Sequence, residues 1–341
     1  MHCHLLIPGL TLPRPIIEQI GATLRLPALQ TLLARGERRT MPVCDIGEWL
    51  CRSFGVAKQQ DWPIAPITLR ADGIEPAQHY WLRVDPVHLR VSRDRLILAD
   101  SQSFSLSQAE AEALTSTLNQ HFASEGWQFL SPAPDRWYLR LEQAPALETQ
   151  SLANAAGGYV DAHQPGGKDA QYWRGITNEI QMLFHEHPVN LAREARGELP
   201  VNSAWLWGGG IWKETACSPF SDIWTNEATT RAFALASGTP CSPLPESATA
   251  WLNSAQITGA SLIVLDSLYA PAQYGDAQTW LATAQELEQR WFAPVKQALA
   301  EGKLKKITLH ALSAHGALEV ETSKKNLWKI WRRKSLLSAL A

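Results

Sequence analysis

The sequence predicts an α/β fold: a mostly parallel sheet flanked by helices, with a smaller α+β domain inserted into it. Three observations carry the layered core and the insertion. Short strand-like runs stand at both ends of the chain, at His4–Ile7, Ser261–Leu265 and Lys306–Leu309, and the apolar ones read as strands buried on both faces. Helix-period segments alternate with them, as a parallel sheet requires. Between about 80 and 141, strand-like runs instead follow one another before a helix, the pattern of an α+β unit. The core is therefore expected from about 1–55 and 203–341, and the inserted domain from about 56–202. Pro63, Pro66, Gly73 and Pro76 mark the crossing.

The elements are justified in order. His4–Ile7 is ended by Pro8-Gly9. Pro27–Arg35 places Leu29, Leu32 and Leu33 at helical spacing, with Gly36 to stop it. Tyr80–Val84, Val87–Val91 and Arg95–Leu98 read as strands, the last two joined by a turn at Ser92-Arg93-Asp94. Ser105 or Ser107 caps a helix, each with an acid or amide three residues on. Trp137–Leu141 is a strand, and about Tyr172–His185 a helix. Ala204–Trp207 is a strand that should turn sharply at Gly208–Gly210. Residues 277–300 form a long helix with Trp280, Leu281, Ala284, Leu287 and Trp291 on one face. Lys306–Leu309 is the expected last strand, before a basic amphipathic tail, Lys324–Leu340.

Composition bounds the function. Of 341 residues, 45% are hydrophobic and 19% charged, below the usual charged share of about 25%, so a large core is affordable. The net charge of −2 gives no global field towards nucleic acid or an anionic membrane. The cysteines at 3, 44, 51, 217 and 241 form no CxxC pair, which suits reduced thiols in the cytosol. No run reaches the roughly 18 apolar residues of a membrane span, and residues 1–12 lack a basic leader. A cytoplasmic protein is expected.

Four groups of residues could carry chemistry. His2-Cys3-His4 holds three soft ligands, but on a strand Cys3 faces away from the two imidazoles, so an ordinary strand end is favoured over a metal site. Gly208–Gly210 lacks the GK[ST] of a phosphate loop. His187, Asn190, Arg193 and Asn202 form a dense polar group; Arg193 has the fork to clamp an anion, against the plainer reading that these side chains satisfy their own backbone. The tail, with Lys324, Lys325, Trp328, Trp331, Arg332 and Arg333, is the sharpest charge feature; it is a candidate surface for a protein partner, a membrane surface or nucleic acid, against the commoner case of a docked helix with a solvated basic face.

Several segments taken together resemble archaeal-type cofactor-independent phosphoglycerate mutases of the alkaline phosphatase superfamily. Leu5-Leu6-Ile7-Pro8-Gly9 stands where that family has a strand ending in Asp-Gly. Leu26–Gly36 resembles its Thr-Pro-Asn-Leu helix, and Pro42-Val43-Cys44-Asp45 its nucleophile turn. Residues 187–210, from His187-Pro188-Val189-Asn190 to Trp205-Leu206-Trp207-Gly208, are the most specific stretch. The chain is also similar to divergent bacterial mutase-like, or Rpf-type regulatory, proteins. The resemblance implies two divalent metals activating a serine, but the implied positions are altered: Pro8 replaces the first ligand aspartate, Tyr269 and Gln273 an aspartate–histidine pair, and Cys44 the serine. The Asp-His pair expected after the last strand is absent from Thr308–Leu312.

The expectation is therefore a catalytically degenerate, mutase-like protein that binds or regulates, with no metal site and no cofactor. A small anionic ligand would meet His187, Asn190, Arg193 and Asn202 in an inter-domain cleft; a macromolecular partner would meet the tail. Two alternatives stand beside it. One is an active phosphomutase or phosphatase with ligands rebuilt from Asp266, Asp276, His310 and His315, or a Cys44-dependent transferase. The other is an assembly component.

Overall fold

A computed structural model describes residues 1–21, 23–214, 218–254, 259–313 and 316–332. The chain divides into two compact units, Met1–Phe54 with Ala216–Ala341, and Gly55–Thr215.

The first unit opens with β1 (His2–Pro8), α1 (Arg14–Ile20), α2 (Pro27–Arg35), β2 (Glu37–Met41) and α3 (Ile46–Ser53). The second unit contains α4 (Ile64–Ala71), β3 (Tyr80–Ser92), β4 (Arg95–Ala99), α5 (Gln108–His121), β5 (Gln128–Ala133), β6 (Arg136–Leu141), α6 (Leu152–Ala155), α7 (Ala170–His185), α8 (Pro188–Ala195) and β7 (Ser203–Ile211). The chain then returns to the first unit with β8 (Asp222–Trp224), α9 (Ala228–Ala236), β9 (Cys241–Ser242), α10 (Ala248–Ser254), β10 (Ala260–Val264), α11 (Tyr269–Gln273), α12 (Ala277–Leu287), α13 (Ala293–Glu301), β11 (Lys306–Ser313) and β12 (Gly316–Ser323).

In the first unit a seven-stranded sheet runs β2-β12-β11-β1-β10-β8-β9. The five strands from β11 to β9 are parallel; β12 and β2 extend one edge antiparallel. The expected mostly parallel α/β core is thus present. β1 is central, in register with β10 (Leu6 opposite Val264) and β11 (Pro8 opposite Leu312). Leu5, Ile7, Ile263, Leu265, Ile307 and Leu309 pack with Leu29, Leu32, Trp280 and Phe292 in one core. The long helix after β10 is interrupted by a π-turn at Glu288–Phe292 between α12 and α13. Its buried Glu288 accepts hydrogen bonds from the first N–H groups of α2, Ala28 at 2.5 Å and Leu29 at 3.1 Å, where the helix dipole favours an anion.

The second unit is built on an antiparallel sheet, β4-β3-β6-β5, with β7 added against β3. Two expectations are corrected here. Ala204–Trp207 belongs to this sheet and not to the parallel core, so the return crossing falls after β7. Nor do Gly208–Gly210 make a turn: the strand runs through them to Ile211. A Cβ at Gly209 would lie 2.2 Å from Tyr80 Oη, and one at Gly210 2.5 Å from Pro63 Cβ. Gly208 has φ +68° and faces the register shift between Trp81 and Arg83, a bulge that L-residues adopt poorly. The expected strands at 80–84 and 87–91 are one strand. Pro86 sits where β3 passes from β6 to β4, where a missing N–H costs least. Ser107 closes a capping box with Glu110. Leu82, Val84, Leu114, Phe129, Trp137, Leu139, Ile180 and Phe184 form the core.

Arg83 does not face water. It is 7% exposed and ion-paired with buried Asp85, Nη2 lying 2.7 Å and 2.8 Å from its two oxygens. Asp85 also accepts from Trp207 Nε1 at 2.7 Å and Trp137 N at 3.2 Å. One carboxylate thus ties three strands. Burial pushes its pKa up, and Arg83 acts against that.

Two glycines test the packing. Gly209→Ala should cost about 1–3 kcal/mol by overpacking. Gly175→Ala, in α7 with nothing within 4 Å of the added methyl, should gain about 0.4–1 kcal/mol. Urea unfolding of both variants measures the contrast.

Candidate functional site

In open α/β sheets, ligands bind outside the carboxyl ends of the strands. Here those ends are Pro8-Gly9, Trp224-Thr225, Leu265-Asp266 and Leu312-Ser313. Pro8 closes β1 with no side-chain donor. Gly9 has φ +76°, and a Cβ there would lie 2.6 Å from the Leu268 carbonyl oxygen. Its own carbonyl accepts from Trp280 Nε1 at 2.7 Å, its N–H donates to Leu312 O at 2.8 Å, and Leu10 is fully buried. The end of the central strand is therefore filled by backbone and indole.

Acidic groups near these ends have structural duties or lack company. Glu227 caps α9, accepting from Thr229 N, Thr230 N and Thr230 Oγ1. Asp276 caps α12 through Thr279 N at 3.0 Å. The Asp266 carboxyl is pushed up by burial and then by the Glu227 charge. Tyr269 opens and Gln273 closes α11, the helix packed beside α12. His315 lies outside the described residues.

Cys44 precedes α3, whose N-cap is Asp45. The thiol is 3% exposed, and its pKa is pushed up to about 11 by burial, with Glu48 and Asp45 adding. A nucleophile needs the opposite shift.

The densest titratable group of the unit lies inside its sheet. His2 and His4 share a face of β1, as their spacing predicts, and His310 joins them from β11. Thr308 Oγ1 lies 2.8 Å from His2 Nε2, His2 Nδ1 3.2 Å from His4 Nε2, and His4 Nδ1 3.0 Å from His310 Nε2. Trp49 and Phe220 close over the row. Each neutral ring donates once and accepts once, so all bonds of the row point the same way. Glu319 Oε2 lies 3.5 Å from His310 Nδ1, beyond hydrogen-bond geometry. Burial, followed by the neighbouring imidazoles, pushes His4 and His310 down to about 3. The nitrogens pair ring to ring and do not converge on a point; among the described residues no group of three His, Cys, Asp or Glu is arranged for a metal. Sequence reasoning found His2 and His4 but not His310 as their partner, whose signal is only the register of β11 on β1. Cys3 points to the other face, fully buried, its thiol pushed up by burial and Asp222.

The 187–202 group lies wholly in the second unit. His187 Nδ1 accepts from Val189 N, capping α8, which leaves Nε2–H for Thr117 Oγ1 at 3.0 Å. Asn190 donates to Phe184 O and Val201 O and accepts from Val201 N. Asn202 pairs with both backbone groups of Leu89. Arg193, 1% exposed, donates to Leu199 O at 2.9 Å, Ser105 O at 2.8 Å and Glu110 at 3.2 Å. These bonds staple α8 to the loops before α5 and β7. Of the tail residues, Lys324, Lys325, Trp328, Trp331 and Arg332 are exposed, and Asn326–Trp328 form one 3-10 turn; Arg333 and the rest of the tail lie outside the described residues.

No known family profile matches the chain. Curated relatives do. A 2,3-bisphosphoglycerate-independent phosphoglycerate mutase of Methanosarcina mazei is 25% identical over 212 residues, and that of Methanosarcina acetivorans 30% identical over 212; each alignment covers 57% of this chain and 52% of the relative. The chain resembles archaeal-type cofactor-independent phosphoglycerate mutases. It spans about half the length of these curated relatives. Among solved structures, a Pyrococcus horikoshii protein superposes with a TM-score of 0.53 at 10% identity, over 94% of this chain and 87% of its own, which is a likeness of fold. The Thermoplasma acidophilum cofactor-independent phosphoglycerate mutase gives 0.46 at 12% identity, over 99% of this chain and 94% of its own.

The mutase-like chain should be acid-labile through its imidazole row. Unfolded histidines take up protons below about 6.5, whereas His4 and His310 resist until about 3. Stability present at neutral pH is therefore lost progressively as pH falls from about 6.5 towards 3. Denaturant midpoints measured across this range should fall with a slope that is shallower in His310→Gln. In the second unit, Arg193→Ala should cost about 1–3 kcal/mol by removing the bonds of a buried guanidinium to Leu199 O, Ser105 O and Glu110, read as lost protection of α8 in hydrogen exchange.

Proposed function

We propose that this is a catalytically degenerate phosphoglycerate-mutase-like protein that acts by binding or regulation. The observation carrying this reading is the end of β1. Paired divalent metals need anionic carboxylates and neutral imidazoles converging on the strand ends. Pro8 offers no donor there, and Gly9 has the Leu268 carbonyl and the Trp280 indole against it. Tyr269 and Gln273 are weak ligands for hard or borderline cations, and Glu227, whose charge raises the Asp266 pKa, is already committed to capping α9. The residues do not fit the metal pair that the resemblance implies. A metal-free transfer through Cys44 is opposed by the raised thiol pKa. A fold outlasts its chemistry more readily than chemistry outlasts its ligands.

Interconversion of the two monophosphoglycerates, followed with added Mn²⁺, tests the reading. The expected rate equals that of buffer for both wild type and Cys44→Ser. Turnover by wild type that Cys44→Ser abolishes would overturn it.

A further inference from the structure

We propose that the stretch Lys324–Arg332 is a docking surface for an anionic lipid bilayer. Trp328 is 76% exposed, Ile330 61% and Trp331 74%. Single exposed apolar residues are ordinary, but three within four positions form a patch that calls for an occupant.

The patch is held in place and is not a loose end. Asn326 is buried and accepts from Ser323 N at 2.9 Å and from Ser323 Oγ, Arg35 donates to Leu327 O, and Leu327 packs on the core. Lys329 reaches Glu37 at 3.5 Å. With the backbone anchored on these inward contacts, the two indoles and Ile330 are left outward.

Charge and chemistry select the occupant. The stretch carries Lys324, Lys325, Lys329 and Arg332 and no acid, while the whole chain nets −2. The remainder is therefore net acidic, and a negative surface would attract this end and repel the rest, fixing the orientation of approach. Indole is an amphipathic ring that settles at the headgroup level, and the aliphatic Ile330 between the two rings suits the acyl boundary below it. Nucleic-acid stacking would use the indoles but would leave Ile330 without a role. Among the described residues no helix is long and apolar enough to cross a membrane, so the contact is peripheral.

Co-sedimentation of the full chain with lipid vesicles tests this. Wild type should pellet with phosphatidylcholine vesicles containing phosphatidylglycerol and stay in solution with phosphatidylcholine alone; added salt should release it. Trp328→Ser/Trp331→Ser and Lys324→Glu/Lys325→Glu should each weaken binding by roughly tenfold or more. Since these side chains are exposed, the variants should keep the wild-type melting temperature. Three results would overturn the proposal: no pelleting with either vesicle, pelleting that the variants leave unchanged, or capture by polyglutamate or single-stranded DNA without vesicle binding.

Discussion

The first unit depends on how its central strand ends. β1 is hydrogen-bonded along both edges, to β10 and β11, so the position of its carboxyl end is fixed by two neighbours. That end is Pro8-Gly9. Proline supplies φ and no donor group; glycine permits the positive φ and the approach of the Leu268 carbonyl. The Gly9 carbonyl then receives the Trp280 indole N–H. A position where this topology ordinarily exposes functional groups is instead part of the packing. A side chain with a carboxylate at Gly9 would require the β10–α11 connection to move.

The polar chemistry that remains is directed inward. The imidazole row is hydrogen-bonded ring to ring within its strands, with the buried His310 Nδ1 left over at its end, and is roofed by Trp49 and Phe220. The Arg83–Asp85 pair is buried in the second sheet, with the Arg83 guanidinium 5.3 Å and 5.1 Å from the rings of Tyr138 and Trp207. Arg193 and Asn190 serve backbone carbonyls. Buried polar groups of this kind cost stability when unpaired and fix one arrangement when paired.

Much of the fold was legible. Buried parallel strands announce themselves as short apolar runs, which is why β1 and β10 are plain in the sequence. The capping box at Ser107 and the stop at Gly36 are local signals and need no tertiary information. What was not legible depended on partners distant in sequence. β2 (Glu-Arg-Arg-Thr-Met) is polar because it is an exposed edge strand, and β12 alternates because it is half-buried, so neither reads as part of a parallel core. Gly208–Gly210 imitates a turn because the crowding that requires glycine comes from Tyr80 on β3 and Pro63 before α4. At the candidate site, Pro8, Tyr269, Gln273 and Cys44 could be placed from the family resemblance, where it implies metal ligands and a nucleophile. The third imidazole, His310, could not, since only strand register brings it to His4.

The proposed account joins the likeness to archaeal-type phosphoglycerate mutases to the filled end of β1: a scaffold of that kind in which packing stands where metal-gripping groups would. Its most direct test is elemental analysis of the untreated full-length protein by inductively coupled plasma mass spectrometry. The account predicts Mn, Zn, Fe and Co far below one equivalent per chain, unchanged after incubation with Mn²⁺ and desalting. A pair of divalent ions retained per chain would contradict it.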